Sequence, residues 1–179
     1  MDGQNHFLLM AHYNARMNKQ VFEQARTLSD DQLHSDRGAY FSSVMGTLNH
    51  ILVGDLIWLA RFSIYSERYT SLVALSSIKR PQALDDMLYA SIADLFEARM
   101  LVDRTIIQWL ESEAIASDFA EVLEYSNTKG IVSKRNFGEL VSHLFNHQTH
   151  HRGQVSTLLH QAGRDIGATD FLLDIPVDP

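Results

Sequence analysis

The sequence predicts an all-α four-helix bundle, one domain over residues 1–179, with a small β-hairpin between its third and fourth helices. Three observations predict it. Four long segments carry apolar residues at helical spacings. The connections between them are unequal in length, as in bundles with a long crossover. A Ser/Thr-rich stretch ending at Pro81 and a Gly163 past the last segment punctuate the pattern.

The first segment, Asn5–Leu28, lacks Gly and Pro, and its apolar residues Phe7, Met10, Met17, Val21, Phe22 and Leu28 recur at helical spacing. Ser29-Asp-Asp-Gln32 then reads as a capping box. The polar stretch His34–Phe41 with Gly38 reads as a loop. Ser42 or Ser43 caps a second helix that runs to about Tyr65. Ser66–Arg80 reads as a long connection. A third helix is expected over Ala83–Glu111. Ala120–Tyr125 and Ile131–Lys134, around the turn Ser126–Gly130, predict the hairpin. The fourth helix is expected over Phe137–Ala162 with Gly163 as its C-cap, followed by an irregular tail to Pro179.

Composition removes several function classes. The chain has 179 residues and a formal net charge of -7, which argues against binding a phosphate backbone. No apolar run is long enough for a membrane span. The start Met-Asp-Gly-Gln-Asn-His lacks the basic residues of a signal peptide, so a cytoplasmic location is expected. Cysteine is absent, which excludes thiolate nucleophiles, iron–sulfur clusters and covalent haem attachment.

The chemistry lies in histidine. His143, His147, His150 and His151 fall within nine residues of the fourth helix. With His147 set at zero and about 100° per residue, Leu140, Leu144, Val155, Leu158 and Ala162 fall between about +20° and +80°. His151 falls at about +40°, inside that stripe, whereas His143 and His150 fall at about -40° and -60°, on its wetter flank. His147 and His151 are therefore the core-facing pair. Two hydrogen-bonded core imidazoles are the competing account, but one divalent cation satisfies both rings at once.

His50, in the apolar run Val44–Asp55, is the candidate third imidazole, although periodicity alone does not exclude His6 or His12. Gly46, Thr47 and Gly54 lie on its side of the helix and would admit a close neighbour; Gly153 offers the same on the fourth helix. Asp55 is a candidate partner for an imidazole N–H, with an ion pair to Arg61 or Arg152 as the other reading. Glu-x-x-His pairs, His-Glu-x-x-His, phosphate-binding glycine loops and the Gly-x-Ser-x-Gly elbow are all absent.

Three stretches resemble the DinB/YfiT-like metalloenzymes: His12-Tyr-Asn-Ala-Arg-Met-Asn18, Gly46-Thr-Leu-Asn-His50-Ile-Leu-Val-Gly-Asp55-Leu-Ile-Trp-Leu, and Asn146-His-Gln-Thr-His-His-Arg-Gly-Gln154. The resemblance runs in order along nearly the whole chain. It implies a divalent metal ion, often zinc or nickel, held by His50, His147 and His151. It also implies a small-molecule substrate and a transferase that uses a low-molecular-weight thiol. The alternatives are a hydrolase that activates a metal-bound water and a non-catalytic, stress-linked metal-binding protein. Helices one and three carry apolar residues on more than one side, so a homodimer is expected.

Overall fold

The computed structural model describes residues 3–127 and 129–177. Thr128, in the expected hairpin turn, and Asp178 and Pro179, at the end of the expected tail, lie outside the described residues. Four long helices form the bundle: α1 (Gly3–Ala25), α3 (Val44–Phe62), α5 (Ile92–Gln108) and α6 (Phe137–Gln161). Two short helices, α2 (Asp30–His34) and α4 (Thr70–Ala74), sit in the connections. Helix α1 packs against α5 and α6, and α3 packs chiefly against α6. Strands β1 (Val122–Ser126) and β2 (Val132–Asn136) pair antiparallel, with Leu123 opposite Arg135 and Tyr125 opposite Ser133.

Local chemistry sets the helix boundaries. Ser29 and Gln32 make the reciprocal capping box that opens α2. Ser43, not Ser42, caps α3 by accepting from the Gly46 N–H. Asn136 caps α6, and Gly163 (φ +74°) ends it in the left-handed region. Hydrophobic burial does the rest. Phe62, Tyr69, Trp109, Phe119 and Phe137 form one aromatic cluster at the hairpin end of the bundle.

Two expectations need correction. The connection Ser66–Arg80 contains α4 and a following 3-10 turn, Leu75–Ser77. The third helix starts at Ile92, with Ser91 as N-cap, and not at Ala83. Residues 82–90 instead run beside α3 as an irregular strap, with a turn in which the Asp86 N–H donates to the Ala83 carbonyl. Asn49 explains this: its side chain donates to the Tyr89 carbonyl and accepts from the Tyr89 N–H, each at 3.0 Å. A helix begun at Ala83 would consume both groups internally.

A second polar group, Asp118, ties α4 to the turn before β1. It accepts from Arg68 at 2.8 Å and from the Tyr69 hydroxyl at 2.7 Å. Burial alone raises its pKa, but the Ile115 N–H, Arg68 and Tyr69 outweigh burial and hold the carboxyl below the usual value. The folded pKa is depressed, so this stabilisation is complete above the unfolded value of about 4 and is lost as pH falls through the folded one. Asp118→Asn should therefore be clearly less stable than wild type at pH 7. In urea titrations the gap should close as the pH drops below about 4; a gap that widens there would contradict the assignment.

The four long helices also meet at a buried polar network. Arg99 of α5 pairs with Asp55 of α3 and, at 2.8 Å, with Asp103 one turn on. Asn18 of α1 donates to both Asp103 oxygens at 3.0 Å and reaches Gln148 of α6 at 3.2 Å. Arg152 of α6 donates to Asn14, Asn18 and Gln148. Two carboxylates and two guanidiniums thus balance inside the bundle, all on residues that are buried.

Candidate metal centre

His147 and His151 sit one turn apart on α6, and His50 faces them from α3. Each ring presents Nε2. The His50 Nε2 lies 3.1 Å from that of His147 and 3.2 Å from that of His151. Among the described residues these three form the group whose ligand atoms all lie within 4.8 Å of one another. His6 and His12, on α1, do not join it.

The partners of the rings fix which nitrogen carries the proton. The His50 Nδ1–H donates to the Leu84 carbonyl at 2.7 Å, and the His151 Nδ1–H donates to Gln154 Oε1 at 2.8 Å. A carbonyl oxygen only accepts, so the Nε2 atoms of both rings carry lone pairs. The His147 Nδ1 is buried without a hydrogen-bond partner among the described residues. Its ring is placed by packing: a Cβ built on Gly54 would lie 2.6 Å from His147 Cε1. Phe41 stacks on the other face of His50, with ring centroids 3.7 Å apart.

Burial also keeps the rings uncharged. The His147 pKa is pushed down to about 3, first by desolvation and then by the neighbouring imidazoles. Desolvation lowers His50 and His151 as well, against the opposing pull of their hydrogen bonds to Leu84 and Gln154. Neutral imidazole is the metal-ligating form.

The donor set fits a divalent ion. Nitrogens about 2.1 Å from one ion, at angles between octahedral and tetrahedral, stand about 3.0–3.4 Å apart, and the observed separations fall in that range. The His50 and His151 Nε2 lone pairs face each other at 3.2 Å and repel; a cation between them removes the repulsion. The hydrogen bonds from His50 to Leu84 and from His151 to Gln154 are of the kind that orients imidazoles in metal sites.

The structure brings together His50, His147 and His151, the three residues the sequence singled out. His143 and His150 stay outside, exposed on α6, with His143 edge-on to Trp58. Asp55 is not an imidazole partner: it is fully buried against Arg99, and neither Arg61 nor Arg152 pairs with it directly. Gly54 admits a close neighbour as expected. Gly46 instead accommodates the Phe41 backbone, and nothing lies near Gly153. Sequence reading missed Leu84, Gln154 and Phe41. Gln154, three residues after His151 on one helix, was within its reach.

Two clefts open on the cluster. One of about 740 Å³ is lined by Tyr40, Phe41, His50, Asp85, His151 and Gln154. The other, about 340 Å³, is lined on the opposite side by Trp58, Arg61, Tyr125, Asn127, His143 and His147. His50 and Leu84 border both.

Gly54→Ala tests the packing that aims His147. The added methyl must displace the ring by several tenths of an ångström or more. Divalent-ion affinity should fall at least about tenfold, the lower end of the loss expected when a ligand's support is removed. Equilibrium dialysis checks this; unchanged affinity would show that the ring is positioned otherwise.

The DinB family model matches residues 1–177. The chain is 28% identical over 159 residues to "Protein DinB" of Bacillus subtilis (strain 168), covering 89% of this chain and 87% of the relative. A crystal structure of a DinB-like protein from Bacillus cereus ATCC 10987 superposes with a TM-score of 0.55 at 19% identity. That match covers 85% of this chain and 89% of the other. At that identity the likeness speaks for the fold. No helix among the described residues is long and apolar enough to cross a membrane.

Proposed function

The chain belongs to the DinB family, and from that premise we propose that it is a divalent-metal-dependent transferase acting on a low-molecular-weight thiol. The observation that carries the reading is the convergence of the His50, His147 and His151 Nε2 atoms, with proton-bearing Nδ1 atoms turned outward on His50 and His151. A bound zinc or nickel ion would supply Lewis acidity, which lowers the pKa of a thiol at an open coordination position.

The chain's own residues supply the rest. His50, His147 and His151 hold the ion, and Leu84 and Gln154 fix two of their rings. Phe41 covers one face of His50 and limits water access there. No cysteine is present, so the reacting sulfur must arrive on a small molecule. The larger cleft, about 740 Å³, is of a size that takes one. In the transfer, sulfur forms a bond to an electrophilic carbon, the leaving group departs with its electron pair, and the thiol proton passes to solvent. A zinc and a nickel form both suit imidazole donors.

The test is conjugation. Zinc- or nickel-loaded protein is mixed with bacillithiol, mycothiol, glutathione, coenzyme A or cysteine and a chlorinated aromatic electrophile. Chloride release that requires both the ion and one of the thiols supports the proposal. Absence of conjugation with every thiol, alongside ester or phosphoester cleavage indifferent to thiol, would move the assignment to a hydrolase with a water nucleophile.

A further inference from the structure

The smaller cleft contains a cation without a counter-ion. Arg61 is half-buried near the C-terminal end of α3, and no ion pair or hydrogen bond to a carboxylate engages it among the described residues. Its guanidinium lies over the Trp58 ring at 4.6 Å and the Tyr125 ring at 5.1 Å. Those two rings meet edge-on at 5.3 Å. Contact with two rings holds the guanidinium in place without engaging its N–H donors. Burial depresses the Arg61 pKa, and no carboxylate offsets the effect.

The cleft's lining is equally selective. It contains no Asp or Glu, in a chain with 22 acidic residues against 15 basic ones. His147 forms one wall, so anything bound to Arg61 lies beside the ring cluster. The opposite cleft carries Asp85 instead. The two approaches to the cluster therefore differ in sign.

We propose that Arg61, held against both Trp58 and Tyr125, is a specificity-determining residue that binds a carboxylate of the substrate in the cleft on the His147 side. A planar fork of donors matches a carboxylate with two parallel hydrogen bonds. Asn127, at the β1 end of the cleft, adds an amide to the same wall. The neutral or cationic portion of a reactant pair then enters by the Asp85 side, and the anionic portion by the Arg61 side. The proposal deepens the transferase reading and takes the location of the reaction centre from it.

The test uses zinc-loaded full-length protein and glutarate, with glutaramide as the uncharged control. Arginine side-chain Nε–Hε resonances are followed by NMR, and the Arg61 signal is identified by its loss in Arg61→Met. A saturable shift of that signal with glutarate and none with glutaramide is expected. Arg61→Met should bind glutarate about tenfold more weakly, the order of one charge-assisted hydrogen bond. Arg61→Lys should fall between the two, because it keeps the charge and loses the fork. All three proteins should hold the same zinc content. An Arg61 signal that does not move, or moves equally with the diamide, overturns the subsite in wild-type protein whatever the variants do. No thiol is present in the titration. A protein that binds glutarate through Arg61 yet conjugates no thiol would uphold the subsite and sink the transferase; conjugation with a silent Arg61 would do the reverse.

Discussion

His147→Ala is expected to abolish stoichiometric metal binding. Wild-type protein purified without a histidine tag should carry about one divalent ion per chain, as one three-imidazole site implies. Of the three rings, His147 is the one whose orientation depends on Gly54, and it stands 3.1 Å from His50 across the helix interface. Loss of an outer hydrogen-bond partner typically costs about 10–100-fold in affinity; loss of a ligand should exceed that. Because the ion binds only the folded chain, the variant should also lose the rise in melting temperature that added zinc gives wild type. Elemental analysis and thermal melts measure both. His160→Ala, at an exposed position on the same helix, should match wild type. Equal metal content in His147→Ala and wild type would remove the centre.

The second large effect concerns stability. Asp55→Ala leaves the Arg99 guanidinium buried with Asp103 as its remaining carboxylate. Removing one member of a buried charge pair costs about 3–5 kcal/mol. Against a total of about 5–15 kcal/mol for an ordinary domain, this takes away a large share. Urea denaturation should show a midpoint far below that of wild type. Asp55→Leu combined with Arg99→Met should recover only part of the loss, because apolar volume replaces that pair while Asp103 loses its guanidinium and keeps the Asn18 amide. A single variant within about 1 kcal/mol of wild type, the typical cost of an ordinary substitution, would mean that water or another group reaches Arg99.

The helix-four histidines were legible because rotation about a helix is regular: about 40° separates His147 from His151, and apolar residues bracket both. His50 was legible only as one imidazole in an apolar run, and the family resemblance preferred it to His6 and His12. The orienting contact from Leu84 was hidden. A backbone carbonyl carries no residue-type signal, and its segment has helical periodicity that the Asn49 side chain overrides. Arg99 was missed for a different reason. It stands at core spacing between Leu95, Val102 and Ile106, where a charge looks like an exception to the stripe. Asn14 and Asn18 break the α1 stripe in the same way. Polar residues at core spacing on all four long helices were a readable sign of a network, but not of its pairings.

The strap has a thermodynamic consequence. Leu84 lends its carbonyl to His50, and five residues on, Tyr89 is clamped by Asn49, the neighbour of His50 in sequence. Peeling residues 82–90 away from α3 therefore removes the hydrogen bond that orients the His50 ring and leaves Phe41 stacking as its remaining support. If the three imidazoles hold an ion, its occupancy and the openings of this segment are coupled equilibria, each biasing the other by the same factor. Amide exchange or protease nicking between Pro81 and Ala90 becomes a gauge of metal loading, readable without any knowledge of the substrate.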